Sequence, residues 1–174
     1  MKTWLRLLLV ALTVGGGFAG MTLSLQVLHG LKNPEASRVI VALIFVGMYA
    51  FVTASGLLFV YDPKRTRLVL ASLAVQIPWV SCPVFVYQFS SGLHAAITLG
   101  TPEDTSRVGL HLGWNLLYFG AHFLFRAWAY QDIPWTFGVN AVPVVLIVLL
   151  LRSTRSHDPK PRPQIADDSK SVAV

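Results

Sequence analysis

Charge is what this 174-residue chain has least of. Asp and Glu number 8, Lys and Arg 14, and charged residues make up 13% of the sequence, about half the roughly 25% of a soluble globular domain. Cysteine occurs once, as Cys82, which excludes an intrachain disulfide and a paired-cysteine metal motif and leaves a small apolar core residue. Acids are scarcest where the chain is most apolar. Between Val108 and Leu151 the only acid is Asp132, so no acid pair is spaced for hydrolysis there. Serine nucleophile elbows, glycine loops before a basic residue and His-Glu-x-x-His spacings are also missing. These absences remove the compact catalytic motifs and point away from an enzyme.

What is present is hydrocarbon. Apolar residues make up 54% of the chain, and uncharged runs extend over Leu7–Leu31, Val39–Tyr61, Leu68–Pro102, Val108–Phe125 and Ile133–Leu151. A membrane span needs about 20 such residues. The expected fold is therefore an all-α polytopic membrane bundle. Its four transmembrane helices fall at about 5–30, 38–61, 67–90 and 133–152, with an amphipathic helix on the outer face at about 102–130. Residues 1–152 form one domain, and the Pro-, Ser- and charge-rich segment 153–174 is a disordered tail. Lys2 and Arg6 ahead of Gly15, Gly16, Gly17 and Gly20 also fit a secretory signal cut near Ala19, but the apolar run continues to Gly30 and favours an uncleaved span.

Local signals place the boundaries. Asn33-Pro34 and Asp62-Pro63 read as caps for the second and third helices, and Thr101-Pro102-Glu103-Asp104 as the start of the fourth. Pro78 and Pro83 should kink the third span around Gln76, Ser81 and Cys82. With four crossings, Lys2, Arg6, Lys64, Arg65, Arg67, Arg152, Arg155, Lys160 and Arg162 share one side with both termini. That is the positive-inside arrangement of a bacterial inner membrane with cytoplasmic ends. It also explains the net charge of +6 without a nucleic-acid partner. Five spans are the alternative, because Gly109, Gly113 and Gly120 form a small-residue seam opposite the polar stripe of that helix.

The stripe itself is the principal functional signal. Arg107, His111, Asn115, Tyr118, His122 and Arg126 fall within an arc of roughly 100° on a helical wheel, among the aromatic residues Trp114, Trp128, Tyr130 and Trp135. Arg107, Asn115, Tyr118 and Arg126 are candidates for contact with lipid or a partner, since guanidinium groups pair with phosphates and carboxylates. Asp132 is placed to pair with Arg126 or to cap the last helix. His29, His94, His111 and His122 lie on one side in the four-span topology and form a candidate cofactor set, with haem or copper as the group that imidazoles would hold. His111 and His122 are about 16 Å apart along a helix and cannot share an ion.

Three functions follow in order. The first is a non-enzymatic accessory or binding subunit that contacts membrane lipids, a hydrophobic ligand, a membrane-protein partner or a second copy of itself. The second is a haem- or metal-binding redox protein. The third is a small oligomeric transporter lined by the polar stripe and the third helix.

Overall fold

The computed structural model describes residues 3–30, 36–101, 111–127 and 135–155. Two long helices come first: α1 over Thr3–Gly30 and α2 over Ala36–Tyr61, both long and apolar enough to cross a membrane. At 1.5 Å per residue each extends roughly 40 Å, more than the ~30 Å of bilayer hydrocarbon. Their outward surfaces are apolar, with Leu7, Phe18, Ile40, Ile44 and Leu57 exposed. They pack closely because Gly20 faces the Tyr49 ring, where a side chain at position 20 would collide.

The rest of the chain overturns the all-α expectation: the fold is mixed α/β. Helix α3 covers only Thr66–Ala74, and strands follow: β1 over Pro78–Ser81, β2 over Phe85–Gly100, β3 over His111–Ala127 and β4 over Thr136–Asn140. Helix α4, Ala141–Arg155, closes the described chain. The third and last spans of the four-span reading are thus each divided between helix and strand, and the amphipathic helix is strand β3 over its described residues.

Proline accounts for much of this difference. The residue before a proline is disfavoured in the α region, and proline donates no hydrogen bond. Pro78 therefore ends the helical stretch and opens β1 rather than kinking a helix. Pro83 sits in a tight hairpin loop, where the Cys82 amide donates to the Phe85 carbonyl at 2.9 Å and the Phe85 amide returns to Cys82 at 3.1 Å. Asp62 does not cap α3. Its Oδ1 accepts the Lys64 amide at 3.0 Å, in the loop before the helix. The Gly113 and Gly120 positions of the expected helical seam lie in β3, opposite Thr98 and Gly92.

Every strand pair in the sheet is antiparallel, including β1 with β2, β1 with β4 and β2 with β4. Three straight strands cannot all be antiparallel to one another, so one must reverse. That strand is β2: its first part, Val86–Gln88, pairs with β1 and its last part, Ala96–Gly100, pairs with β4. The reversal falls where Gly92 takes a left-handed φ of 87° and where the β2–β3 register shifts between His94 and Ala96. The bent β2–β3 hairpin, with β1 and β4 between its arms, makes a small curled sheet.

Two packing regions result. At one end Leu5, Leu9, Leu12, Phe59, Val69, Leu73, Leu146 and Leu150 form an all-apolar core from α1, the end of α2, α3 and α4. The Arg6 guanidinium donates to the Val60 carbonyl at 2.6 Å, so the chain start, the α2–α3 loop and α4 adjoin there. At the other, Phe89 and Phe123 of the sheet stack on Phe45 and Tyr49 of α2. The joint between them is backbone on backbone: a Cβ at Gly16 would strike the Ser91–Gly92 main chain. Just before that joint, α1 widens into a π-type turn over Ala11–Gly15, a feature that often marks sites of function.

Candidate functional site

Strand alternation sends Phe85, Tyr87, Phe89 and their neighbours on β3 to one face of the sheet, against the helices, and Gln88, His94 and His122 to the other. On this second face β1 supplies Trp79, opposite Gln88 and Gly138. Its indole lies 4.8 Å from the His94 ring and 6.0 Å from the His122 ring, centre to centre. One indole reaching imidazoles on either side of the bend shows that this face is the concave one. His122 Nε2 and Gln88 Oε1 form a hydrogen bond at 3.0 Å.

The two imidazoles differ in environment. His94 is 6% exposed, and its pKa lies below the ordinary 6.5 because burial penalises the cation and because His122 is near. His122 has an accessible edge, but the surrounding groups desolvate it enough to lower its pKa as well. Both are neutral at physiological pH.

Behind this face lies a buried polar layer at the bend. Gln76, following α3, donates from Nε2 to the Ser72 carbonyl at 2.9 Å and accepts the Ser91 amide at Oε1 at 2.8 Å. Asn140 caps α4: its Oδ1 accepts the Ala95 amide at 3.1 Å and the Val142 amide at 3.4 Å, while its backbone N–H donates to the Ile77 carbonyl at 2.9 Å. The Tyr49 hydroxyl donates to the Ser90 carbonyl at 3.2 Å. Four buried polar atoms in this layer have no hydrogen-bond partner among the described residues: Ser90 Oγ, Ser91 Oγ, His94 Nδ1 and Asn140 Nδ2. Leaving such a group unmet costs about 1–3 kcal/mol, so four in one bend mark a place built for water or for a polar guest.

The outer wall of the curl is the reverse. Leu99 lies opposite both Leu112 and Phe137, and Ile97 opposite Val139. All five side chains are exposed, so this sheet is polar inside and apolar outside.

The candidate residues of the sequence divide accordingly. His94 and His122 meet through Trp79, and Arg126, four residues beyond His122 and opposite Val86, is on the same strand face and exposed. His29 is exposed in the last turn of α1, apart from that pair. His111, Asn115 and Tyr118 take ladder positions opposite Gly100, Ala96 and His94. Arg107 and Asp132 lie outside the described residues. Among those residues no three His, Cys, Asp or Glu side chains gather as metal ligands. Sequence reasoning missed Trp79, Gln88, Ser90, Ser91 and Asn140. Only Asn140 carried a signal, as a capping residue before Ala141 and an early proline at Pro143. No family model, curated protein or solved structure matches the chain.

Proposed function

We propose that this protein is a non-enzymatic, membrane-embedded binding subunit that holds an amphiphile. The polar headgroup sits in the cup formed by Trp79, Gln88, His94 and His122, and the hydrocarbon runs along the apolar outer wall. The observation that carries this reading is the inverted sheet. A soluble sheet hides its apolar face and shows its polar one; here Ile97, Leu99, Leu112, Phe137 and Val139 are outside while imidazole, amide and hydroxyl groups converge inside. Polar-in and apolar-out is the pattern of β-structure in lipid. The sheet also packs beside the middle of α2, at Phe45 and Tyr49, so a bilayer crossed by that helix reaches the sheet.

The orientation that suits this reading is the positive-inside one. Arg6, the loop bearing Lys64 and Arg65, Arg67 of α3 and Arg152 of α4 all adjoin the all-apolar end, which would face the cytoplasm of a bacterial cell. The test is native mass spectrometry of protein released from nanodiscs made with its own membrane lipids. We expect about one retained amphiphile per chain, lost in Trp79→Ala while α1 and α2 stay folded by circular dichroism. Wild-type protein that emerges bare, or that remains monomeric and soluble without detergent, sinks the proposal.

A further inference from the structure

We infer that the headgroup held in this cup is anionic, a lipid phosphate, and that Arg126 is its cation. This rests on the amphiphile-binding reading above and adds the charge of the guest.

Each unmet polar atom of the site is able to donate. Asn140 Nδ2 donates only, and Ser90 Oγ, Ser91 Oγ and His94 Nδ1 can each donate. The four residues are 1%, 1%, 5% and 6% exposed, and the atoms have no hydrogen-bond partner among the described residues. Ser90, His94 and Asn140 lie on the concave side of the bend, while Ser91, paired with Ala121, points to the helix side. Ser90, Ser91 and His94 lie within five residues of the bend, and Asn140 is bonded to Ala95 beside His94. The serine hydroxyls and the imidazole nitrogen also accept, and a phosphate, with its several oxygens, is a guest that Ser90, His94 and Asn140 can all meet as donors.

Charge selects in the same direction. The four strands contain no Asp or Glu, and Arg126 is their one Lys or Arg. No ion pair or hydrogen bond engages its guanidinium among the described residues. His122 stands directly opposite Ser90 in the ladder, so Arg126, His122, Ser90 and His94 form a line from the open end of the face to the buried bend. Among the described residues a cationic headgroup would find no carboxylate on this face, and the Trp79 ring that could cage it is already flanked by both imidazoles. An anion finds a guanidinium, buried polar groups able to donate and, beside them, the His122 imidazole held to Gln88.

The experiment uses nanodiscs of equal parts phosphatidylglycerol and phosphatidylcholine, with native mass spectrometry of the released full-length protein. Phosphatidylglycerol should be retained about tenfold over phosphatidylcholine, the ratio that a single charge-assisted contact supplies. Arg126→Gln should bring the two near parity and Arg126→Lys should keep part of the preference. Lys64→Gln, which removes an equal charge from the α2–α3 loop, should leave it unchanged. By NMR, the His122 imidazole pKa should be higher in phosphatidylglycerol discs than in phosphatidylcholine discs.

Equal retention of the two lipids in the wild type, or equal loss of preference in Arg126→Gln and Lys64→Gln, overturns the anionic headgroup and leaves amphiphile binding standing. If 10 mM inorganic phosphate, on the order of a millimolar-affinity anion site, raises the His122 pKa in phosphatidylcholine discs as far as phosphatidylglycerol does, the guest is a free anion and the lipid phosphate is overturned. Retention of neither lipid overturns the underlying reading instead.

Discussion

At the basic end of the molecule Leu9, Phe59, Val69 and Leu150 are fully shielded and pack into one apolar cluster. At the sheet end Ser90, His94 and Asn140 are almost as shielded and carry polar atoms without partners. The two ends are built from the same chain segments. Leu68–Pro102 gives α3 to one and β1 and β2 to the other, and Ile133–Leu151 gives α4 and β4 in the same way. An uninterrupted apolar run therefore states that a segment avoids water, not which backbone form it takes. The first end has the features of a scaffold, with nothing left to bind. The second keeps unmet donors, whose cost a guest would remove.

The sharpest way to break the comparison is to separate the ends at their joint. Gly16→Val places side-chain atoms in the Ser91–Gly92 main chain, which has no flexible tip to yield. Overpacking of this kind costs about 3 kcal/mol or more, and we expect little folded protein by size-exclusion chromatography in detergent. Gly15→Val is the matched control, because a Cβ there meets nothing within 4 Å, and it should remain folded. Leu9→Ala comes next. It opens a cavity in the apolar end and should cost about 2–5 kcal/mol in thermal unfolding, while the surviving folded protein retains its amphiphile. A Leu9→Ala protein that is stable but bare would mean that the two ends do not divide scaffold from site.

The long helices were legible in the sequence because length and hydropathy suffice for them: the expected spans at about 5–30 and 38–61 nearly coincide with Thr3–Gly30 and Ala36–Tyr61. The sheet was not, and the polar stripe shows why. Steps of four residues, as from His111 to Asn115 and from Tyr118 through His122 to Arg126, come near one turn of a helix but are also an even number of strand residues. The single step of three, from Asn115 to Tyr118, should have put a strand out of phase. It coincides with the register shift at which β2 advances from His94 to Ala96 while β3 crosses from Tyr118 to Asn115, so a bulge absorbs the odd residue. The aromatic density of Phe119, Phe123 and Phe125 and the Pro78–Pro83 spacing are strand signals, but hydropathy and the four-residue steps outweigh them in a reading by helical period. The contact of His94 and His122 through Trp79 needs the reversal of β2, which no local pattern announces.

A smaller effect sharpens the contrast through pH. His94 has a folded pKa below its unfolded value of 6.5, so the unfolded chain binds the extra proton more readily than the folded one. Stability is then complete above pH 6.5 and falls as the pH drops from 6.5 toward the folded pKa. Thermal unfolding in detergent should show a lower midpoint at pH 5 than at pH 7.5. His94→Gln should flatten that slope, leaving only the contribution of His122, which has the same sign. A slope unchanged by the substitution would remove His94 as its source.

The smallest expected effect is also the most discriminating, because it sets two buried side chains of the same layer against each other. Gln76 holds the Ser72 carbonyl and the Ser91 amide, so Gln76→Leu strands both and should cost about 1–3 kcal/mol. Ser90 is equally buried, but its hydroxyl has no hydrogen-bond partner among the described residues. Removing it deletes an unmet polar group and leaves only a small void. In lipid-free detergent Ser90→Ala should therefore lie within about 0.5 kcal/mol of the wild type or be more stable. In membranes, where an amphiphile occupies the cup, the same substitution should lower its retention. A Ser90→Ala protein that loses as much stability as Gln76→Leu in lipid-free detergent would show the hydroxyl to be structural, and the polar layer would then be part of the scaffold rather than a site held open for a guest.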